Sequence, residues 1–300
     1  MKIIQSFWSK PLMNPYANTM DSRAMGGFPS RKYFIYTWAL SILRLREHFD
    51  EVHLVTDDFG KELLINALKL PYTSYSIELN ILENMPSQFW CAGKLHVFAN
   101  TDCPFLHLDG DVILGDSFDK KLLNQALIAE FHYEDKAKNY EPILHFLKNN
   151  QSGYTLPKDL QAIINEPNFI YNDYNHGIIG GNDVTFLNDF GKKAQAILAE
   201  NKDKILSNDM PISFLNCLTD QFNFYCMTQA TNKKVTLCIK EKFDTSYDYQ
   251  AEILGKVTTD FSFVHFHSNY KAAYYEVPEQ WLACYYPKEY RDINRVLFGA

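Results

Sequence analysis

Short apolar runs alternate with helical patterns in the first third of the chain. The apolar runs predict strands at residues 2–8, 51–56, 73–79 and 104–114, the last interrupted at Gly110. Apolar positions at helical spacing predict helices at residues 31–48, from Gly60 onward and at 88–99. This regular alternation favours an α/β fold with a mostly parallel central sheet flanked by helices.

The rest of the chain is less regular. Its pattern predicts strands at residues 126–133, 174–181, 234–239 and 261–267, and helices at 183–205 and 212–228. The sequence contains no repeat, low-complexity tract or linker, so one domain is predicted over residues 1–300. The loop at 11–30 is rich in Pro, Asn, Gly and Ser, and loops of this length are often functional. We expect it to order over a bound ligand.

Composition narrows the classes of function. Hydrophobic residues make up 46% of the chain, which is enough for a large core, and the formal net charge of -7 argues against nucleic acid as a partner. The six cysteines are scattered without a C-x-x-C pair, a distribution typical of reduced thiols in the cytoplasm. We expect no signal peptide and no transmembrane segment, and peripheral contact with a membrane stays open.

The strongest chemical motif is Asp109-Gly110-Asp111, which follows the most apolar predicted strand. Carboxylates two residues apart at the carboxyl end of a strand point to the same side, where open α/β sheets bind their ligands. Gly110 would permit the tight turn that brings both onto one ion. Mn²⁺ and Mg²⁺ prefer such oxygen ligands and also hold phosphate oxygens. The alternative is a plain acidic turn.

A second candidate is the late segment that contains His265, His267 and Lys271. Two histidines at alternate strand positions share a face, so either could join the aspartates around a cation. Lys271 could then contact a phosphate. The alternative is a surface strand with a nearby lysine.

Two further segments carry polar groups that suit sugar hydroxyls. Asn175 precedes the glycines Gly177, Gly180 and Gly181, which would let a backbone approach a ligand closely. The alternative is a bulge without a ligand. Asp220 and the adjacent Gln221 either bind hydroxyls or cap a helix.

The order of these four segments along the chain resembles that of the glycogenin and lipopolysaccharide galactosyltransferase family of retaining GT-A glycosyltransferases. Leu108–Asp111 matches the family's L-D-x-D, Tyr174–Gly177 its F-N-x-G, and Asp220–Asn223 part of its D-Q-D-x-x-N. Lys94 matches a basic residue on the helix before the D-x-D strand. The sequence departs from the pattern at Phe222, which replaces the third Asp, and at Lys271-Ala-Ala, which replaces Lys-Pro-Trp. The opening Gln5-Ser6-Phe7-Trp8 also suits an uncharacterised bacterial group of predicted glycosyltransferases.

The resemblance implies a single GT-A domain whose residues 1–120 bind the nucleotide, while residues 121–300 serve the donor sugar, the acceptor and the C-terminal segment. It implies a UDP-sugar donor, a saccharide or other hydroxyl acceptor, Mn²⁺ or Mg²⁺ as cofactor, and transfer with retention. The implied metal ligands are Asp109, Asp111 and either His265 or His267. The implied donor and nucleotide contacts are Ser6, Phe7, Trp8, Asp57, Lys94, Gly180 and Lys271, and the implied catalytic groups at the sugar are Asn175, Asp220 and Gln221.

Three other functions compete with this interpretation. A nucleotidyltransferase would carry a glycine-rich basic loop after the first strand, and Phe7–Pro11 lacks glycine. A metal-dependent hydrolase would show a pattern such as H-E-x-x-H, which is absent from the sequence. A non-catalytic protein that binds saccharide or nucleotide on the same fold is not separated from an enzyme by sequence.

Overall fold

The computed structural model describes residues 1–13, 26–134, 141–148, 154–205, 212–239, 260–267 and 270–299. Most of the loop predicted at 11–30 therefore lies outside the described residues, as does the expectation that it covers a ligand. The strands are Lys2–Phe7 (β1), His53–Thr56 (β2), Ser74–Ile77 (β3), Phe105–Leu108 (β4), Val112–Leu114 (β5), Ile128–Ala129 (β6), His132–Glu134 (β7), Asn172–Tyr174 (β8), Ile178–Gly181 (β9), Thr236–Leu237 (β10) and Phe263–His265 (β11).

Helices surround these strands. They are Arg31–His48 (α1), Asp58–Gly60 continued by the π-helix Lys61–Ala67 (α2), Ala92–Asn100 (α3), Glu141–Lys148 (α4), Lys158–Ile164 (α5), Val184–Ile205 (α6), Ile212–Cys217 (α7), Asn223–Ala230 (α8), Tyr270–Ala273 (α9), Val277–Tyr285 (α10) and Pro287–Phe298 (α11). Short 3₁₀ turns lie at Leu79–Leu82 and Lys120–Asn124, and a π-helical turn at Leu218–Phe222 joins α7 to α8.

The central sheet has seven strands in the order β10-β6-β9-β4-β1-β2-β3. The pairs β10–β6, β4–β1, β1–β2 and β2–β3 are parallel, whereas β9 runs antiparallel to both of its neighbours. This arrangement confirms the predicted α/β class with a mostly parallel sheet flanked by helices. Because β1, β2 and β4 are parallel, their carboxyl ends meet at one edge of the sheet.

Apolar side chains fill both faces of the sheet. One buried cluster joins β1 and β4 to α1 and α10, with Trp38 and Trp281 among its members. The other joins the sheet to α3 and α6, where Phe98 packs on Phe105 and Phe190. All four side chains of β4 are buried because this strand lies inside the sheet between both clusters. The continuous apolar run that predicts it is typical of such a strand.

Several predicted elements are shorter or divided. The strand predicted at 126–133 forms β6 and β7, which belong to different sheets, and the one predicted at 174–181 forms β8 and β9. The second break has a local cause, since the Asn175 side chain accepts a hydrogen bond from the backbone N–H of Gly177 at 2.9 Å. Such a turn competes with strand pairing. The helix predicted at 212–228 contains the π-helical turn, a feature common at functional sites.

All six cysteines are free thiols, as their scattered spacing predicts. Among the described helices, none combines the length and the apolar character needed to cross a bilayer.

Candidate metal and ligand site

The turn after β4 carries the two aspartates. The backbone N–H of Asp109 donates to the Gly177 carbonyl at 2.8 Å, and that of Val112 donates to the Asp109 carbonyl at 3.1 Å. Gly110 lies between them, and a Cβ there would lie 2.0 Å from Cε3 of Trp38. Gly110 does not adopt a positive φ. Glycine is therefore required by the contact with α1 more than by backbone conformation.

His265 is brought to the aspartates by a second, two-stranded sheet. Strand β11 runs antiparallel to β5 with His265 opposite Val112, and the N–H of Phe266 donates to the Asp111 carbonyl at 3.0 Å. His265 Nε2 lies 3.4 Å from Asp111 Oδ1. One ligand atom from each of Asp109, Asp111 and His265 lies within 4.8 Å of the others, so these three residues could hold a metal ion.

The donor set fits a hard divalent cation. Two carboxylates and one imidazole suit Mn²⁺ or Mg²⁺, and three protein ligands leave positions for other oxygens. Burial raises the pKa of Asp109 to about 6, with Asp111 acting in the same direction against Lys94. Burial opposes ionisation of Asp111 as well, but Lys271 and His265 lower its pKa below the usual range. A cation bound between the two carboxylates would offset the repulsion between ionised Asp109 and Asp111.

His267 lies beside this group without belonging to it. The strand ends at His265, and the N–H of His267 folds back onto the His265 carbonyl at 2.9 Å. His265 and His267 therefore do not share one face of a strand, although their alternate positions in the sequence predict that they do. The two imidazole rings are 5.2 Å apart, and His267 also lies 6.2 Å from the ring of Phe131.

Two buried lysines hold the aspartates. Lys271 Nζ lies 2.5 Å from Asp111 Oδ2 and donates to the Gly26 carbonyl at 2.5 Å. Lys94 Nζ lies 3.5 Å from Asp109 Oδ2 and 2.7 Å from Asp220 Oδ2. Burial opposes the charge on Lys94, yet Asp109 and Asp220 raise the pKa of this lysine above its usual value.

Asp220 lies behind the wall of the site. Its side chain is fully buried, and its Oδ1 lies 2.7 Å from Nδ1 of the buried His176. Burial opposes ionisation, but Lys94 and His176 lower the pKa of Asp220 to about 2. The neighbouring Gln221 instead reaches the cavity described next.

The metal-binding group opens into a cavity of about 530 Å³. Three aromatic rings of its wall pack together: Phe7 lies 5.1 Å from Trp38, and Phe34 lies 5.7 Å from Trp38 and 6.0 Å from Phe7. The wall also contains amide and carboxylate side chains. The wall residues that sequence analysis predicts for the site are Ser6, Phe7, Trp8, Lys94, Asp109, Asp111, Asn175, Gln221, His265, His267 and Lys271.

Three predicted site residues are not among those that line the cavity. Asp220 is one of them. Asp57 is buried and accepts hydrogen bonds from the N–H and Oγ of Ser9, each at 2.8 Å, while capping α2. Gly180 lies within β9, where a Cβ would be 2.1 Å from the Phe105 carbonyl oxygen, so its role there is close strand packing.

Two acidic residues of the site, Asp173 and Glu130, were not predicted from the sequence. Asp173 is buried and lines the cavity two positions before Asn175 on β8, so strand alternation gave a signal for it. Glu130 is fully buried, and its Oε2 lies 2.8 Å from Nδ1 of His265. Its signal was a single charge directly after the apolar run Ala126–Ala129, because a charge in a buried run needs a partner.

Comparisons with known proteins place the chain in one family. The chain belongs to a family of unknown function (DUF6734), whose model matches residues 1–296. No curated protein matches it in sequence. Among solved structures it is similar to mouse xyloside xylosyltransferase 1 in its apo form, with 11% identity over 89% of this chain and 98% of that one and a TM-score of 0.40. A likeness of this size establishes neither a shared fold nor a shared activity.

Proposed function

We propose that the protein is a metal-dependent glycosyltransferase that moves a sugar from a nucleotide-diphosphate donor, a UDP-sugar, to a hydroxyl acceptor with retention. The observation that carries the proposal is the group Asp109, Asp111 and His265, whose ligand atoms lie within 4.8 Å of one another on the wall of a 530 Å³ cavity. The order of motifs, which resembles retaining GT-A enzymes, supplies the donor class and the stereochemistry.

The diphosphate would lie against the two aspartates. A divalent cation bound there would supply positive charge as the nucleotide leaves. Lys271 contacts Asp111 at 2.5 Å and lines the cavity, so it can donate to a phosphate oxygen close to the same carboxylate. Lys94 contacts Asp109 from its buried position and keeps that carboxylate oriented.

The nucleoside and the sugar would meet different parts of the wall. The packed rings of Phe7, Phe34 and Trp38, with Trp8 and the Ser6 hydroxyl, offer apolar area for a base and a polar group beside it. Asn175 and Gln221 offer amides that can read sugar hydroxyls and orient the acceptor hydroxyl for attack. The six free thiols support the cytoplasm as the compartment.

The donor site is tested by thermal unfolding with a panel of nucleoside diphosphates, each with and without Mn²⁺. A ligand at 100 times its Kd stabilises the folded state by about 2.7 kcal/mol, so we expect UDP with Mn²⁺ to raise the melting temperature. Asp109→Asn and Asp111→Asn should remove the Mn²⁺-dependent part of the shift. If no nucleoside diphosphate raises the melting temperature in the presence of Mn²⁺, the proposal is wrong.

Turnover separates the competing functions. We expect release of UDP from UDP-sugars, measured with and without candidate saccharide acceptors. Binding without release would indicate a non-catalytic protein, and pyrophosphate release from a nucleoside triphosphate and a sugar phosphate would indicate a nucleotidyltransferase.

A further inference from the structure

Glu130 is a carboxylate enclosed in the protein interior. It lies between β6 and β7, where its N–H donates to the Asn175 carbonyl at 3.0 Å and its carbonyl accepts from Ile239 at 2.9 Å. Its exposure is 0%, and Ala129 before it is buried in the sheet. A buried carboxylate is costly unless a partner compensates it, so Glu130 needs a hydrogen-bonding or charged partner in the interior.

The partner of Glu130 is the imidazole of His265, 135 positions later in the chain. Glu130 Oε2 accepts from His265 Nδ1 at 2.8 Å. Gly177 packs against both, because a Cβ there would lie 2.4 Å from Glu130 Oε2 and 2.4 Å from His265 Nδ1. Because Gly177 has no side chain, the carboxylate of Glu130 and the ring of His265 can come into contact beside it.

The contact determines which nitrogen faces the cavity. With Nδ1 bound to Glu130, Nε2 is directed to Asp111, at 3.4 Å from its Oδ1. Histidines that bind metal commonly donate their other ring N–H to a carboxylate, which fixes the tautomer and the orientation of the ring.

We infer that Glu130 is a positioning residue, which holds the His265 ring so that Nε2 completes the metal site with Asp109 and Asp111. This inference rests on the metal site of the proposed function. Glu130 itself is not one of the three residues whose ligand atoms converge. It acts on the ion only through the histidine.

A pair of variants of equal size separates this role from packing. Glu130→Met keeps the volume and removes the acceptor, whereas Glu130→Gln keeps an acceptor oxygen for Nδ1. Mn²⁺ affinity is read from the electron paramagnetic resonance signal of the free ion, and bound imidazole from the nitrogen modulation in pulsed spectra. We expect Glu130→Met to weaken Mn²⁺ binding about 10–100-fold and to lose the nitrogen modulation. Glu130→Gln should also weaken binding, though less, because a neutral amide oxygen is a weaker acceptor than a carboxylate, and it should keep the modulation.

Two controls frame the result. His265→Ala defines a spectrum without imidazole nitrogen. Glu47→Gln removes the same charge from a glutamate that pairs with Arg44 outside the cavity wall, and it should leave Mn²⁺ affinity unchanged.

Four outcomes would overturn the inference. Unchanged affinity and modulation in both variants would show that His265 needs no support from Glu130. Weaker binding with full nitrogen modulation in Glu130→Met would make Glu130 a ligand or a packing residue instead. If Glu130→Met does not fold, an unchanged Mn²⁺ affinity in Glu130→Gln decides against it. A wild-type protein that binds no Mn²⁺ refutes the metal site itself, and the inference with it.

Discussion

The protein contains two clusters built from the same residue types, an aspartate, a histidine and a lysine. Asp111, His265 and Lys271 form the first, and Asp220, His176 and Lys94 the second. The Asp111 side chain is 18% exposed and faces the cavity, whereas the Asp220 side chain is 0% exposed. A group that acts on a ligand must be accessible from the cavity, as the first cluster is. The second cluster can influence only the protein residues packed around it.

The charges around the two histidines differ as well. Burial alone would lower the pKa of His265, but Glu130 and Asp111 raise it to about 10. Burial lowers the pKa of His176, and Lys94 acts in the same direction against the opposing effect of Asp220. The two carboxylates beside His265 favour positive charge there, either a proton on the ring or a metal ion in its place at Nε2, whereas the charge around His176 is already compensated by Lys94. We therefore interpret the second cluster as a support for Lys94 and Asp109.

We expect the largest effect from breaking the second, fully buried cluster. Asp220→Asn would leave the buried Lys94 with Asp109 as its one remaining carboxylate, at 3.5 Å instead of 2.7 Å. Removing one partner of a buried ion pair costs about 3–5 kcal/mol of unfolding free energy. Urea unfolding measures it. Asp183→Asn is the control, since it breaks the exposed pair with Lys233 and should cost less than about 1 kcal/mol. A loss below 1 kcal/mol in Asp220→Asn would contradict the supporting role.

The next largest effect is a difference in Mn²⁺ affinity between variants of two neighbouring histidines, His265 and His267. His265→Ala should weaken Mn²⁺ binding by about 100-fold, because it removes one of three ligands, at the upper end of what loss of an outer partner costs. His267→Ala should change the affinity less than about threefold, because His267 is outside the converging group. Isothermal titration with Mn²⁺ measures both. Equal losses would place both rings on the ion.

The smallest effect concerns the turn between the aspartates. Gly110→Ala would press a methyl group into Trp38, and overpacking of this kind costs about 1–3 kcal/mol of unfolding free energy. In a double-mutant cycle, Gly110→Ala should cost less unfolding free energy in the Trp38→Leu background than in the wild-type protein. Chemical denaturation of all four proteins measures this difference. Full additivity would mean that the turn moves away without touching the indole.

Local signals predicted much of this molecule. The apolar run of β4 and the polar residues at its end were sufficient to predict a central strand and two carboxylates that lie close together after it. The roles of Glu130 and Asp220 depend on partners 135 and 126 positions away, Glu130 with His265 and Asp220 with Lys94, and no local pattern contains such pairings. Asp57 follows a strand, as a ligand-binding residue would, yet Ser9 and the start of α2 take up its carboxylate.

The reversed direction of β9 has a consequence for how the site is assembled. In an all-parallel sheet, residues that precede a strand lie at the rim opposite to residues that follow one. Because β9 runs against β4, the segment Asn175–Gly177 that enters β9 meets Asp109 as it leaves β4. Groups suited to a sugar and groups suited to a metal thus share one rim of the sheet. Changes in either segment can alter specificity while the sheet stays the same.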